Sequence, residues 1–223
     1  MPTPTWDRLP TERRDAIVAA AEAEFASRGF SRGSLNVIAR EAGVAKGSLF
    51  QYFDDKLDLF AHLSDLASIR IGAAMAKHNA PLPWAEDYWG ALTDSLLAWI
   101  GHFRDHPVDL ALTAAVNLEL DTEVRVAVRE VVNRHYLRGL QQLIDSGVET
   151  GAVRADADHG AFLAQLVLVM PHLALAANMP GLDPVLDLHE DPDAAVARVV
   201  AVWRAAFGTW ADGVTRPVRR PSA

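Results

Sequence analysis

The 223-residue chain contains no cysteine, so disulfide staples and thiolate metal sites are not open to it. Its first ten residues hold prolines and charges instead of a basic segment leading into an apolar one, and no secretory signal is expected over Met1–Pro10. The most apolar run, Ala161–Ala177, is short for a membrane span and contains Gln165, Pro171 and His172. A buried core helix is the expectation there, with no membrane partner and a cytoplasmic location. Catalytic signatures are also missing: there is no Gly-x-Ser-x-Gly elbow, phosphate-binding loop or His-Glu-x-x-His pattern. Ser34, Ser48 and Ser64 have no evident base partner. Asp54–Asp55 and Asp156/Asp158 fall at helix starts, where the helix dipole accounts for them. His102 and His106 stand four apart, as in a metal clamp, but Pro107 disfavours helical geometry at His106. No enzyme, metal or cofactor is expected.

An excess of basic charge is lacking too. The net charge is -8, yet residues 1–56 hold eight basic and eight acidic residues, leaving 13 basic against 21 acidic beyond them. The N-terminal part is neutral and the remainder acidic. Such a chain should hold duplex DNA weakly without a sequence match, because neutralised phosphates supply most non-specific affinity. Charge alone does not suggest DNA.

What the chain does have is helical punctuation and, at 50% apolar residues, enough material for a sizeable core. Strand signals are scarce. Thr11 is a candidate N-cap, and Ile17, Ala21 and Phe25 form a buried stripe that stops at Gly29, where Phe30 can fold back on Phe25. Ser34 is placed to cap a short helix with Leu35, Ile38 and Ala39 inward, ending at Ala42–Gly43. Another short helix is expected over 46–53, with Leu49 and Phe53 inward. Asp54–Asp55 then cap a longer helix from Lys56 toward residue 78. Two short helices joined by a glycine turn against a longer one make a helix-turn-helix. Further helices are expected at about 85–105, 108–120, 122–150, 158–178 and 192–213, separated by proline and glycine breaks.

The stretch Ile38-Ala39-Arg40-Glu41-Ala42-Gly43-Val44-Ala45-Lys46-Gly47-Ser48-Leu49-Phe50-Gln51-Tyr52-Phe53-Asp54-Asp55-Lys56 resembles the DNA-binding signature of the TetR family of bacterial regulators. The resemblance runs from Arg14 to about Leu63. It implies an all-α fold: an N-terminal three-helix helix-turn-helix domain and a larger C-terminal helical domain for ligand binding and dimerisation. The expected divisions are 1–56 for the arm and DNA-binding domain, 57–80 for a connecting helix, 81–213 for the larger domain and 214–223 for a disordered tail. The DNA-contacting residues are expected to be Ser34, Lys46, Gly47, Ser48, Gln51, Tyr52 and Lys56, with Ser34 and Lys56 on phosphates. Gln51 suits adenine and Lys46 guanine. Gly47 would let backbone approach the duplex. Two residues depart from the family pattern. Phe50 stands where tyrosine is usual, losing a hydroxyl, and Ala45 replaces a serine N-cap, at a cost of about 1 kcal/mol. The Met1–Pro10 arm is expected to be a loose terminus.

In the C-terminal part, the segment at 158–178 is apolar almost all round, and 192–213 carries a stripe of Val196, Val199, Val200, Trp203, Phe207 and Trp210. Two such helices suggest a two-fold four-helix interface, with Leu166, Met170, Val199, Trp203, Phe207 and Trp210 at the homodimer contact. A ligand pocket is expected among Trp99, Phe103, Asn117, Tyr136, Gln165 and His172, taking a small hydrophobic or aromatic effector. Three readings stay open at this level: a repressor released from operator DNA by a ligand, a constitutive DNA-binding regulator, and a ligand-binding protein without DNA function. An enzyme using the aromatic cavity is a weaker fourth.

Overall fold

The computed structural model describes residues 2–209, and Trp210 and the tail expected at 214–223 lie outside them. Among the described residues there are ten helices: α1 (Pro4–Asp7), α2 (Thr11–Arg32), α3 (Leu35–Glu41), α4 (Lys46–Tyr52), α5 (Lys56–Asn79), α6 (Tyr88–Asp105), α7 (Pro107–Asn117), α8 (Thr122–Glu149), α9 (His159–Asn178) and α10 (Pro192–Phe207). The only β pairing among them is an isolated bridge between Val153 and Gly208. The fold is all-α.

Local chemistry explains most boundaries. Asp55, Asp87, Asp121, Asp158 and Asp191 each cap a helix by accepting a backbone N–H with the side chain. Gly29 does break α2, with φ of 68°, and the Phe30 ring stacks on Phe25 with centroids 6.3 Å apart. Gly43 takes φ of 67° in the turn between α3 and α4, which a side chain would strain. Two cap expectations fail. Thr11 lies inside α2, whose cap position is Pro10. Ser34 occupies the α3 cap position without a side-chain cap bond. Instead, the Ser34 N–H donates to Glu24 Oε1 at 3.0 Å, tying α3 to the buried Glu24 of α2.

The N-terminal arm is not loose. Trp6 of α1 is buried, with its ring 4.9 Å from Phe53 and 5.9 Å from Tyr52. The Thr3 N–H donates to the Tyr52 carbonyl at 2.9 Å and the Thr3 hydroxyl to that of Gln51 at 2.6 Å, so the arm straps the end of α4.

Two cores result. The first joins α1–α4 and the start of α5 to Leu112 and Val116 of α7 and Val124 and Val128 of α8. The second lies among the later part of α5, α6, α8, α9 and α10. The helix-turn-helix unit is therefore held through α2 on α7 as well as on α5, within a core that also takes in the start of α8. The α9 helix is long and apolar enough to cross a membrane by length and composition, although it packs on α6, α7, α8 and α10.

Candidate nucleic-acid interface and ligand cavity

Leu49 and Phe53 anchor α4 in the first core, and this fixes which side chains turn outward. Lys46, Gly47, Phe50 and Gln51 are exposed, and Ser48 and Ser34 are half-buried. A Cβ added at Gly47 would meet nothing within 4 Å, so nothing inside the chain requires glycine there. Phe50, 47% exposed, puts an apolar ring on the same face.

Two expected contact residues are placed differently. Tyr52 is buried, not outward, because α1 brings Trp6 onto it. Lys56 spends its charge within the protein. Its Nζ donates to the carbonyls of Phe30, Ser31 and Gly33 at 3.0, 3.4 and 3.3 Å and sits 4.4 Å from the Phe30 ring centroid. A cation at the end of a helix neutralises its exposed carbonyls, so Lys56 locks the end of α2.

Between α5 and α8 lies a cavity of about 640 Å³, within the usual size of small-molecule sites. Of the expected pocket residues, Trp99, Phe103, Asn117 and Tyr136 line it, but Gln165 and His172 do not. His172 lies on the exposed side of α9. The Trp99 indole donates to the Met170 carbonyl at 2.9 Å and stacks edge-on with Phe103, leaving its ring as wall. Sequence reasoning missed Arg129, Ser64, Ser68 and Met75, which face the space from α8 and α5. The fourfold spacing of Ser64, Ser68, Gly72 and Ala76 along α5 was the available signal.

Helices α2, α5, α6 and α7 are joined by a charged network also missed from sequence. Arg70 of α5 donates to Asp109 of α7, with Nε–Oδ1 at 3.1 Å, and to Glu22 of α2 at 3.1 Å. Asp109 is 2% exposed and also meets His102 Nε2 at 2.9 Å. The hydrogen bond to Asp109 raises the Arg70 pKa further. His106 follows α6 as its C-cap, with its ring stacked on His102 at 4.2 Å, and no metal-binding cluster exists among the described residues.

The expected dimer residues need the largest correction. Leu166, Met170, Trp203 and Phe207 are buried within the chain itself. Trp203 and Phe207 pack on Phe162, with ring centroids 5.9 and 4.6 Å away. Val199 is half-buried, and Trp210 is outside the described residues. The exposed apolar face is the opposite one: Ala164 and Leu168 on α9, and Ala201 and Val202 on α10. Leu168 is 74% and Val202 64% exposed.

Residues 17–63 match the family model described as "Bacterial regulatory proteins, tetR family". These residues span α2 to α5 and carry that family's N-terminal segment. The repressor BepR from Brucella suis biovar 1 (strain 1330) is 40% identical over 76 residues, 32% of this chain and 36% of that protein. The match thus spans about a third of that relative's length, as it does for AcrR of Shigella flexneri, 34% of which is covered. A TetR family regulator from Chloroflexus aurantiacus J-10-FL superposes with a TM-score of 0.62 at 24% identity, covering 94% of this chain and 100% of that one. The regulator FadR from Bacillus subtilis, in complex with stearoyl-CoA, gives 0.66 at 20% identity over 84% of this chain and 97% of that one. These two likenesses concern the fold alone.

Proposed function

We propose that this chain is a DNA-binding transcriptional regulator, acting in the cytoplasm as a homodimeric repressor that a small hydrophobic or aromatic ligand releases from operator DNA. The observation that carries the reading is the cavity between α5 and α8, because α5 begins directly after the recognition helix α4 and ends beside the cavity. A ligand spreading α5 from α8 would move α4, which directly precedes α5, and would pull on α2 and α7 through the Arg70 bridge to Glu22 and Asp109. Two recognition helices held one helical turn of DNA apart, roughly 34–36 Å, would then leave register with the major groove. The bound stearoyl-CoA in the B. subtilis FadR structure supports an apolar ligand body in this fold.

On this reading Lys46, Ser48 and Gln51 meet base edges or phosphates, Gly47 admits backbone close to the duplex, and Ser34 contacts phosphate. Lys56 acts by holding α2 in place. The dimer forms through Leu168 and Val202 and their neighbours, giving a four-helix contact of α9 and α10 with their symmetry mates. The regulator reading is tested by retaining genomic fragments on the purified protein and footprinting them. A short palindrome should be protected, whereas uniform retention without a footprint would defeat it. Leu168→Asp, placing charge on the dimer face, should give monomers by sedimentation while preserving helicity.

A further inference from the structure

The cavity has a marked charge asymmetry. No aspartate or glutamate lines it, whereas Arg129, Arg138 and His135 do. His135 is paired to Asp65 at 2.7 Å and Arg138 is exposed, so neither supplies a free interior charge. Arg129 differs. It is half-buried on α8, and it donates through Nη1 to Asn117 Oδ1 at 2.9 Å. It has no carboxylate within salt-bridge distance among the described residues. Two turns along the same helix, the Tyr136 hydroxyl is shut from solvent without a hydrogen-bond partner among the described residues. The buried hydroxyl is costly unless something satisfies it, and the guanidinium beside the same space keeps donors for an anion.

The shape is as informative. The lining follows α5 from Ser64 to Asn79, a slot roughly 22 Å long at 1.5 Å per residue. Arg129 and Asn117 stand at the end nearest the DNA-reading helices, with Met75 and Trp84 toward the other. Gly72 on α5 and Gly139 on α8 lie mid-helix on the cavity wall, where helix propensity disfavours glycine, and a Cβ at either would meet nothing within 4 Å. No packing contact explains them, and side chains there would narrow the slot.

We infer that the ligand is an elongated amphiphilic monoanion, its carboxylate held by Arg129 with Asn117 and Tyr136, and its apolar body lying past Trp99 toward Met75. This rests on the proposed ligand-responsive reading and specifies the chemistry of its site. Burial keeps the Tyr136 phenol well above its usual pKa, so it stays a neutral hydrogen-bond donor to the anion.

The test compares dodecanoate and dodecyltrimethylammonium below their micellar concentrations with 1-dodecanol below its solubility limit, by Trp fluorescence and calorimetry on the full chain. Dodecanoate should bind best. Arg129→Gln should weaken it about tenfold or more, as expected for a lost charged hydrogen bond, and leave dodecanol within about twofold. Arg129→Lys, which keeps the charge, should retain most of the preference, and this separates recognition from a folding defect. Gly72→Leu should exclude dodecanoate and dodecanol alike, confirming the slot as the place of binding. If dodecanol binds as tightly as dodecanoate, and Arg129→Gln changes neither, the anion inference falls while a ligand-responsive regulator stands. If none of the three binds, the amphiphile assignment is overturned, and a screen of compact aromatics then decides the broader reading separately.

Discussion

The helices around α3 and α4 and those that surround the cavity use apolar residues to opposite ends. Ile17, Phe25, Ile38, Leu49 and Phe53 close on one another from α2, α3, α4 and the following turn, and even the N-terminal arm is drawn in through Trp6. Between α5 and α8, about 640 Å³ stays open beside an unpartnered Tyr136 hydroxyl. A dense core holds side chains to fixed positions, which base reading requires. A void with unmet polar groups leaves stability for a ligand to supply, which a switch requires. Arg70 stands between the two regimes, reaching Glu22 on one side and Asp109 on the other.

The comparison breaks most visibly at Trp203. Although its helix has an exposed apolar face, Trp203 itself is a core residue against Phe162. Trp203→Ala should therefore cost about 3–5 kcal/mol in chemical denaturation, through the cavity it leaves. A dimer that dissociates with undiminished protomer stability would return Trp203 to the interface.

Asp109→Asn addresses the link between the regions. Removing a nearly buried carboxylate from Arg70 and His102 should lower stability by about 1–3 kcal/mol, tempered by the exposure of Arg70. Its more telling effect should be on coupling: the variant should still bind operator and ligand, with each less responsive to the other. Unaltered coupling in a double titration would remove the network from the switch.

Much of the packed region is legible in the sequence because its determinants are local. Gly43, Asp55 and the Leu49/Phe53 spacing each act within a few residues. Tyr52 and Lys56 were misplaced because their partners, Trp6 and the carbonyls of Phe30, Ser31 and Gly33, lie 23 to 46 positions away. The α9 helix failed for another reason. A helix apolar all round has no phase, so periodicity could not tell whether Gln165 and His172 face the cavity or Leu168 faces outward. In α10 the stripe was visible, but a stripe does not say whether its own chain or a second copy covers it. The Arg70–Asp109–Glu22 network, spanning 39 and 48 positions, left no pattern at all.

Gly47→Ala sharpens the DNA-reading half. Alanine is the better helix former by up to about 1 kcal/mol and meets no atom there, so stability should hold or rise. On the proposed reading operator affinity should fall nonetheless, by anisotropy, because the methyl group would stand where the duplex approaches. Retained affinity would mean that the glycine serves no contact.

The smallest effect expected is a pH dependence from His62, which packs against Trp6 and Phe53 with ring centroids 5.5 and 5.6 Å away. Burial lowers its pKa from 6.5, opposed by nearby Asp65 and Asp58. The folded state then takes up a proton less readily than the unfolded one. His62 contributes stability above pH 6.5 that is lost as pH falls through 6.5 toward the folded value. Thermal melts between pH 7.5 and 5.5 should show a decline that His62→Gln flattens, and equal declines in both proteins would assign it elsewhere.

The central claim, that cavity occupancy and operator binding oppose one another, is tested most directly by a reciprocal titration. A compound whose binding Gly72→Leu abolishes is titrated into free and operator-bound protein, and operator into free and ligand-saturated protein. The account predicts that each weakens the other by the same factor, about 5–150-fold. A compound that fills the cavity and leaves operator affinity unchanged would contradict it.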